Sequence, residues 1–263
     1  MPSELSAAYP RSVAASPSRI PIVTPRSLQV IIGKWVRDYV HPGGYFRIDG
    51  KPVLHVLNLG DFSDLYGAER FALIIDLCRE YARQLGVDPY IVGVVGQIDD
   101  ATIMLAQRLP LDAVTGYGLL PTWLGPPVQE YADLMDLRVS EWYYAQSQLQ
   151  IPFYPVVCAG WDASARGARK SSLNGDDGYP YTPVVVGDTV ELFEEFLRRA
   201  RRFNAAHMPR HNVVYLHALN EWTEGSALEP NDRHGYGLLE AVARGGRGQP
   251  AEAAAEGVSE DIQ

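Results

Sequence analysis

The segment LNEWTEGSALEP, Leu219–Pro230, follows directly on the apolar run VVYLHAL. It sets Glu221 and Glu224 three residues apart, with Trp222 between them and Glu229 five residues further on. Carboxylates beside a core cost free energy unless a partner or a reaction uses them. Two carboxyl groups at one place suit cleavage of a glycosidic bond. One holds a proton for the departing oxygen, and the other stays ionised as base or nucleophile. Crowding drives their proton affinities apart, which supports that division of labour. A straight strand alternates faces and would separate residues i and i+3. The chemistry therefore requires a bend, and Gly225 permits one. The same spacing is compatible with a plainer arrangement, in which Glu221 pairs with an arginine and Glu224 stands in solvent.

The elements that would position this pair can be read from periodicity. Ser27 is placed to cap a helix running to about Val40, ended by the HPGG turn at His41–Gly44. Short apolar runs read as buried strands at Val53–Asn58, Tyr90–Gly96, Asp112–Tyr117, Phe153–Gly160 and Val213–Leu219. Helical spacing is expected at Leu65–Leu85, Asp100–Arg108, Val128–Gln150, Thr189–His207 and Tyr236–Arg244, with a polar loop at Ser164–Tyr181. Five continuous apolar strands divided by amphipathic helices predict an α/β fold with a helix-covered parallel sheet. An open doubly wound sheet and a (β/α)8 barrel compete at this point. No GxGxxG or GxxxxGK[ST] motif follows a strand, which removes the main support for a phosphate-binding open sheet.

Both architectures put chemistry just past the C-terminal ends of the strands. Those positions hold Asn58 and Asp61 after the first strand, and Gln97, Asp99 and Asp100 after the second. Tyr117 follows the third, Trp161, Asp162 and Arg166 the fourth, and Asn220, Glu221, Trp222 and Glu224 the fifth. Carboxylates and amides bind hydroxyls, and planar aromatics stack on sugar rings, so the rim suggests a saccharide. Each residue also has a plainer reading. Asp99 and Asp100 are in position to cap the next helix. Asp162 and Arg166 can form an ion pair holding their loop, Trp161 can be core, and Glu229 can tie down its own loop. His55 reads as a core histidine, while His217 is open between core and site.

Over 263 residues the chain carries a net charge of −9 and is 46% hydrophobic. A sizeable core is therefore available. The acidic balance argues against nucleic acid and anionic membrane as partners. No stretch approaches the roughly 18 apolar residues of a membrane span. The two cysteines, Cys78 and Cys158, make no disulfide framework and read as core residues. The histidines offer no evident ligand cluster, so no metal and no cofactor are expected. Residues 1–26, rich in Pro, Ser and Ala, and the tail 245–263 are expected to be disordered. With no recognisable leader, a cytoplasmic location is expected.

NEWTEGSALEPNDRHGYGLLEA, Asn220–Ala241, resembles the terminal motif of the glycoside hydrolase family 99-like proteins. That group includes endo-acting α-mannosidases and bacterial polysaccharide-cluster relatives often labelled glycosyltransferases. YFRIDGKPVL at Tyr45–Leu54, DAVTGY at Asp112–Tyr117 and VVCAGWDASARG at Val156–Gly167 are similar to other segments of the same family, in the same order. The resemblance implies a (β/α)8 barrel at 27–244 and an oligosaccharide or polysaccharide substrate. It also implies roles for the two glutamates. Glu221 would act as a base on the sugar's own 2-hydroxyl, giving an epoxide-like intermediate and overall retention, and Glu224 would be the acid/base at the leaving oxygen. The mannosidases carry His where this chain has Thr223, a departure that argues against α-mannoside specificity. The match covers only the last five of eight barrel strands, and the region before Leu28 is too short for three βα units of about 30 residues each. The expectation is thus an incomplete barrel of about five units, its N-terminal three missing, with bare edges at Val53–Asn58 and Val213–Leu219. A truncated reading frame is the favoured cause, and a partner chain completing the barrel or a degenerate protein are the others. A glycan-active enzyme is the leading expectation. A non-catalytic carbohydrate-binding remnant, a polysaccharide-biosynthesis glycosyltransferase and, more remotely, a nucleotide-binding α/β protein are its alternatives.

Overall fold

Thr24 opens the first helix, α1 (Pro25–Trp35). Its hydroxyl accepts the Ser27 N–H at 3.1 Å, and Ser27 Oγ accepts the Thr24 N–H at 2.8 Å. The pair is a reciprocal capping box with proline at the first helical position. Ser27 thus lies inside the helix, and the cap is three residues earlier than the sequence suggested. The computed structural model describes residues 23–118, 120–167, 177–208 and 210–246. Most of the two terminal stretches expected to be disordered lies outside them, as does 168–176 of the polar loop. Within 1–26 and 245–263, however, Pro25 and Arg26 begin α1, and Gly245 and Gly246 end the last helix.

After α1 the chain passes through a π turn at Val36–Val40, then β1 (Arg47–Ile48), β2 (Lys51–Val56), α2 (Leu59–Tyr66) and α3 (Ala68–Gln84). The β1–β2 hairpin turns through Asp49 and Gly50, both at positive φ, as two-residue Asp-Gly turns do. The single helix expected from Leu65 is instead two, divided at Gly67, whose φ of 76° no helix interior allows. Next come β3 (Tyr90–Val95), α4 (Asp100–Arg108), β4 (Ala113–Gly116), β5 (Val128–Glu130) and α5 (Tyr131–Gln148). The helix expected from Val128 starts three residues later because Val128–Glu130 pair in parallel with Val184–Val186. The remainder is β6 (Phe153–Tyr154), β7 (Val156–Cys158), β8 (Val184–Val186), α6 (Val190–His207), β9 (Tyr215–His217), β10 (Asn220–Glu221), β11 (Ser226–Ala227) and α7 (Gly237–Gly246).

β2, β3, β4 and β6 pair in parallel in chain order, and β7 pairs in parallel with β9. Pro155, which has no N–H to give a ladder, separates β6 from β7. One strand therefore serves β4 with its first half and β9 with its second. Each βα unit lies beside its predecessor, the winding of a barrel wall; a doubly wound sheet reverses direction at its middle. The wall curls far enough for side chains of its outermost strands to meet across the concave face. His55 Nε2 on β2 lies 2.8 Å from the Tyr215 hydroxyl on β9. His55 is accordingly an exposed residue of the concave face, not the core histidine expected. The fold is a mixed α/β half-barrel.

The helices cover the convex side. Trp142 of α5 stacks on Phe196 of α6, with centroids 5.1 Å apart and planes 5° from parallel, and Phe203 closes on the same indole. All three are fully buried. Each such side chain contributes about 1.5–3 kcal/mol on burial. Cys158 is buried and Cys78 half-buried, both as free thiols. Among the described residues no helix is long and apolar enough to cross a membrane.

Candidate active site

β9 ends at His217, and the chain then makes a tight excursion. β10 carries Asn220 and Glu221, a 3-10 turn spans Trp222–Glu224, and β11 returns antiparallel with Glu221 opposite Ser226. Gly225 makes the return possible at φ 62°, and a Cβ there would meet the Asp162 amide nitrogen at 2.9 Å. That amide donates to the Glu224 carbonyl at 2.7 Å. The loops after β7 and β9 are thus fastened backbone to backbone, and the fastening tolerates only glycine at 225.

The turn brings both carboxyl groups to one guanidinium. Arg166, at the end of the Ser164–Arg166 turn, reaches Glu221 Oε1 with Nη2 at 3.0 Å and Glu224 Oε1 with Nη1 at 2.9 Å. Its Nε donates to Thr223 Oγ1 and its Nη1 to the Tyr179 hydroxyl, each at 3.0 Å. Thr223 in turn donates to Glu221 Oε1 at 2.8 Å. The Tyr179 bond, then the Glu224 and Glu221 carboxylates, hold the guanidinium charged beyond its already high range. Burial distinguishes the two acids: the Glu221 side chain is 33% exposed and that of Glu224 only 4%. The plainer arrangement allowed by the sequence is half right. Glu221 is paired with an arginine, but Glu224 is paired with the same one and is not in solvent. Arg166 makes no ion pair with Asp162, whose exposed carboxylate instead accepts the Ser164 N–H at 2.9 Å.

Aromatic rings wall the cluster. Trp161 is 6% exposed, stacks 6.4 Å from His217 and meets Trp123 edge-on at 5.4 Å. It forms a buried wall, with no open face for a sugar ring. Tyr117 meets His217 edge-on at 4.8 Å. Trp222 is the more exposed aromatic, at 49% against 37% for Tyr117, its indole held by Glu229 at 2.6 Å. Asn220 is exposed on β10, opposite Ala227.

Asn58, Asp61 and Gln97 lie elsewhere. They line a separate open cleft of about 540 Å³ past β2 and β3. There the Asn58 amide donates to Asp61, and Gln97 donates to Asp99 at 2.5 Å. Asp99 also accepts the Thr102 N–H at 2.8 Å, so it caps α4. The rim inferred from strand ends therefore divides into a charged cluster after β7 and β9 and a polar cleft after β2 and β3. Sequence reasoning passed over Tyr179, Trp123 and Ser226, and nothing in their local pattern marks them. Among the described residues no three His, Cys, Asp or Glu side chains are grouped to hold a metal. His207 and His211 have i, i+4 spacing, but α6 ends between them.

The half-barrel has known counterparts. It superposes on the GH99 endo-alpha-mannosidase of Bacteroides thetaiotaomicron with a TM-score of 0.54 and 15% identity, over 86% of this chain and 67% of that one, a likeness of fold. The likeness defines a fold of the barrel type. The family model described as "Glycosyltransferase WbsX" matches residues 29–242, and the chain belongs to that family. Two curated relatives, both uncharacterized WxcX proteins from strains of Xanthomonas campestris pv. campestris, are 32% identical over 90 residues. That match takes in 34% of this chain and 11% of theirs, so the chain spans a small part of their length.

Proposed function

We propose that the protein acts on a glycosidic bond of an oligosaccharide or polysaccharide, with Glu221 as base and Glu224 as acid/base. The observation that carries this reading is the convergence of both carboxylates on Arg166, within 3.0 Å of its terminal nitrogens, at the C-terminal end of the last parallel strand. The half-exposed Glu221 can be approached by a sugar hydroxyl. Glu221 takes the proton of the 2-hydroxyl, and that oxygen attacks the anomeric carbon. The bond to the leaving oxygen breaks as Glu224 delivers a proton to it. In the second half Glu224 takes a proton from the incoming water, whose oxygen opens the three-membered ring, and Glu221 returns the first proton. Because the substrate supplies the nucleophile, the carboxyl spacing of ordinary retaining enzymes is not required. Arg166, Asn220 and the exposed face of Trp222 bind the sugar, with Asp162 and Tyr117 at the edge. Asn58, Asp61 and Gln97 form an outlying contact for a longer chain.

The family's description favours a second reading, transfer, in which an acceptor hydroxyl replaces water in the same second half. In either case the five βα units are the C-terminal part of a (β/α)8 barrel. The outer edge of β9, unpaired among the described residues, takes further strands, from a longer polypeptide or a partner chain. The test is incubation with bacterial polysaccharides, following new reducing ends and acceptor adducts by mass spectrometry. Glu221→Gln and Glu224→Gln should each lower turnover by about 10²–10⁴-fold with melting temperature preserved. Full rates in both variants would remove the reading.

A further inference from the structure

Glu224 Oε1 is engaged by Arg166, but Oε2 is buried without a hydrogen-bond partner among the described residues. An unmatched buried carboxylate oxygen is rare enough to need a cause. The group facing it is His217 Nε2, at 3.3 Å, within ion-pair range though short of hydrogen-bond alignment. His217 is itself buried. The hydrogens on that ring can be assigned by accounting. Ser226 Oγ lies 2.7 Å from the His217 carbonyl oxygen, which can only accept, so the single hydroxyl hydrogen lies there. His217 Nδ1, 3.2 Å from the same Oγ, must then be the donor. An imidazole with its hydrogen on Nδ1 presents a bare lone pair at Nε2. A bare nitrogen facing an ionised carboxylate oxygen in a buried site is repulsive, unless one more hydrogen lies between them.

Charge leads to the same place. Among the described residues two carboxylates share one guanidinium, which leaves one negative charge uncompensated in a mostly enclosed cluster. The other described neighbours do not supply the balance. Cys158, opposite His217 on β7, has its thiol pushed up by burial and stays neutral. Tyr117 and Trp161 cover the imidazole with aromatic rings.

We propose that, in addition to the hydrogen on Nδ1, His217 and Glu224 hold one further, shared proton between Nε2 and Oε2, making His217 the positioning residue that keeps Glu224 supplied with the hydrogen it delivers. The catalytic consequence rests on the reading of Glu224 as acid/base; the place of the hydrogen does not. The test uses the full chain with 15N-labelled histidine near neutral pH, together with infrared difference spectra against Glu224→Gln. Hydrogen on both His217 nitrogens supports the proposal. So does hydrogen on Nδ1 alone with a carboxylic acid band that Glu224→Gln abolishes. Hydrogen on Nε2 alone, or on Nδ1 alone with no acid band, overturns it. A kinetic arm uses His217→Gln, whose amide can donate to Oε2 but cannot hold an extra proton. Its rate should fall about 10–100-fold on substrates with poor leaving groups and change its pH profile. An unchanged profile in His217→Gln beside a large loss in Glu224→Gln would reject the positioning role and leave the acid assignment standing.

Discussion

The two ends of the half-barrel both bury polar side chains, but in different electrical states. At the N-terminal end, Tyr90 and Tyr154 share a hydroxyl contact of 2.9 Å, Tyr154 meets His211 Nδ1 at 3.1 Å, and Tyr215 meets His55 at 2.8 Å. Burial pushes the phenols of Tyr90, Tyr154 and Tyr215 up, so all three stay neutral hydroxyls. At the C-terminal end, two carboxylates, a guanidinium and a histidine crowd around one turn, and a buried carboxylate oxygen lacks a hydrogen-bond partner among the described residues. Neutral hydroxyls that satisfy one another hold strands together. Crowded charges with an unmet valence cost stability, which marks the cluster that keeps them as a candidate functional site. Under the proposed function, structure belongs to one end and chemistry to the other.

The comparison can be broken most sharply by exchanging effects between the ends. Glu224→Gln should lose about 10²–10⁴-fold in turnover, whereas Tyr154→Phe should lose none; a comparable rate loss from Tyr154→Phe would erase the distinction. Arg166→Met should lower both rate and stability, since Glu224 stays buried without its cation. A cost of about 1–3 kcal/mol in urea unfolding is expected, limited because the guanidinium is about one-third exposed. Tyr154→Phe should cost about 1 kcal/mol, the net value of a buried hydroxyl contact. The smallest effect belongs to Asp49, whose carboxyl is held below the usual range, first by its bond to His211. A lowered carboxyl contributes stability that is complete above the ordinary aspartate range and is lost as pH falls through its folded value, below about pH 4. Melting curves should show wild type ahead of Asp49→Asn near pH 6, with the gap narrowing toward pH 3.

Local chemistry was legible where it depends on near neighbours in the chain. Glu221 and Glu224 stand out because acids beside an apolar strand need a reason, and Gly225 announces the bend that joins them. The five parallel strands follow from apolar runs at regular spacing. What the chain did not disclose depends on partners far away in sequence. Val128–Glu130 has the composition of a helix start and becomes a strand only because Val184–Val186 lies beside it. Arg166 had a nearer acid in Asp162 and turns instead to residues 55 and 58 positions on, an outcome set by the meeting of two loops at Gly225. Strand-end positions can be read from the chain, but curvature decides which of them face one another. That is why Asn58, Asp61 and Gln97 lie apart from the glutamates.

Leaving-group dependence addresses the division of roles between the glutamates most directly. Wild type and Glu224→Gln would be compared on aryl glycosides whose phenols grow steadily more acidic, once a cleaved sugar has been found in the polysaccharide screen. If Glu224 protonates the departing oxygen, the variant's deficit should shrink toward wild type as the phenol needs less help, while that of Glu221→Gln stays constant. A Glu224→Gln deficit independent of the phenol, or a Glu221→Gln deficit that shrinks instead, would contradict the assignment.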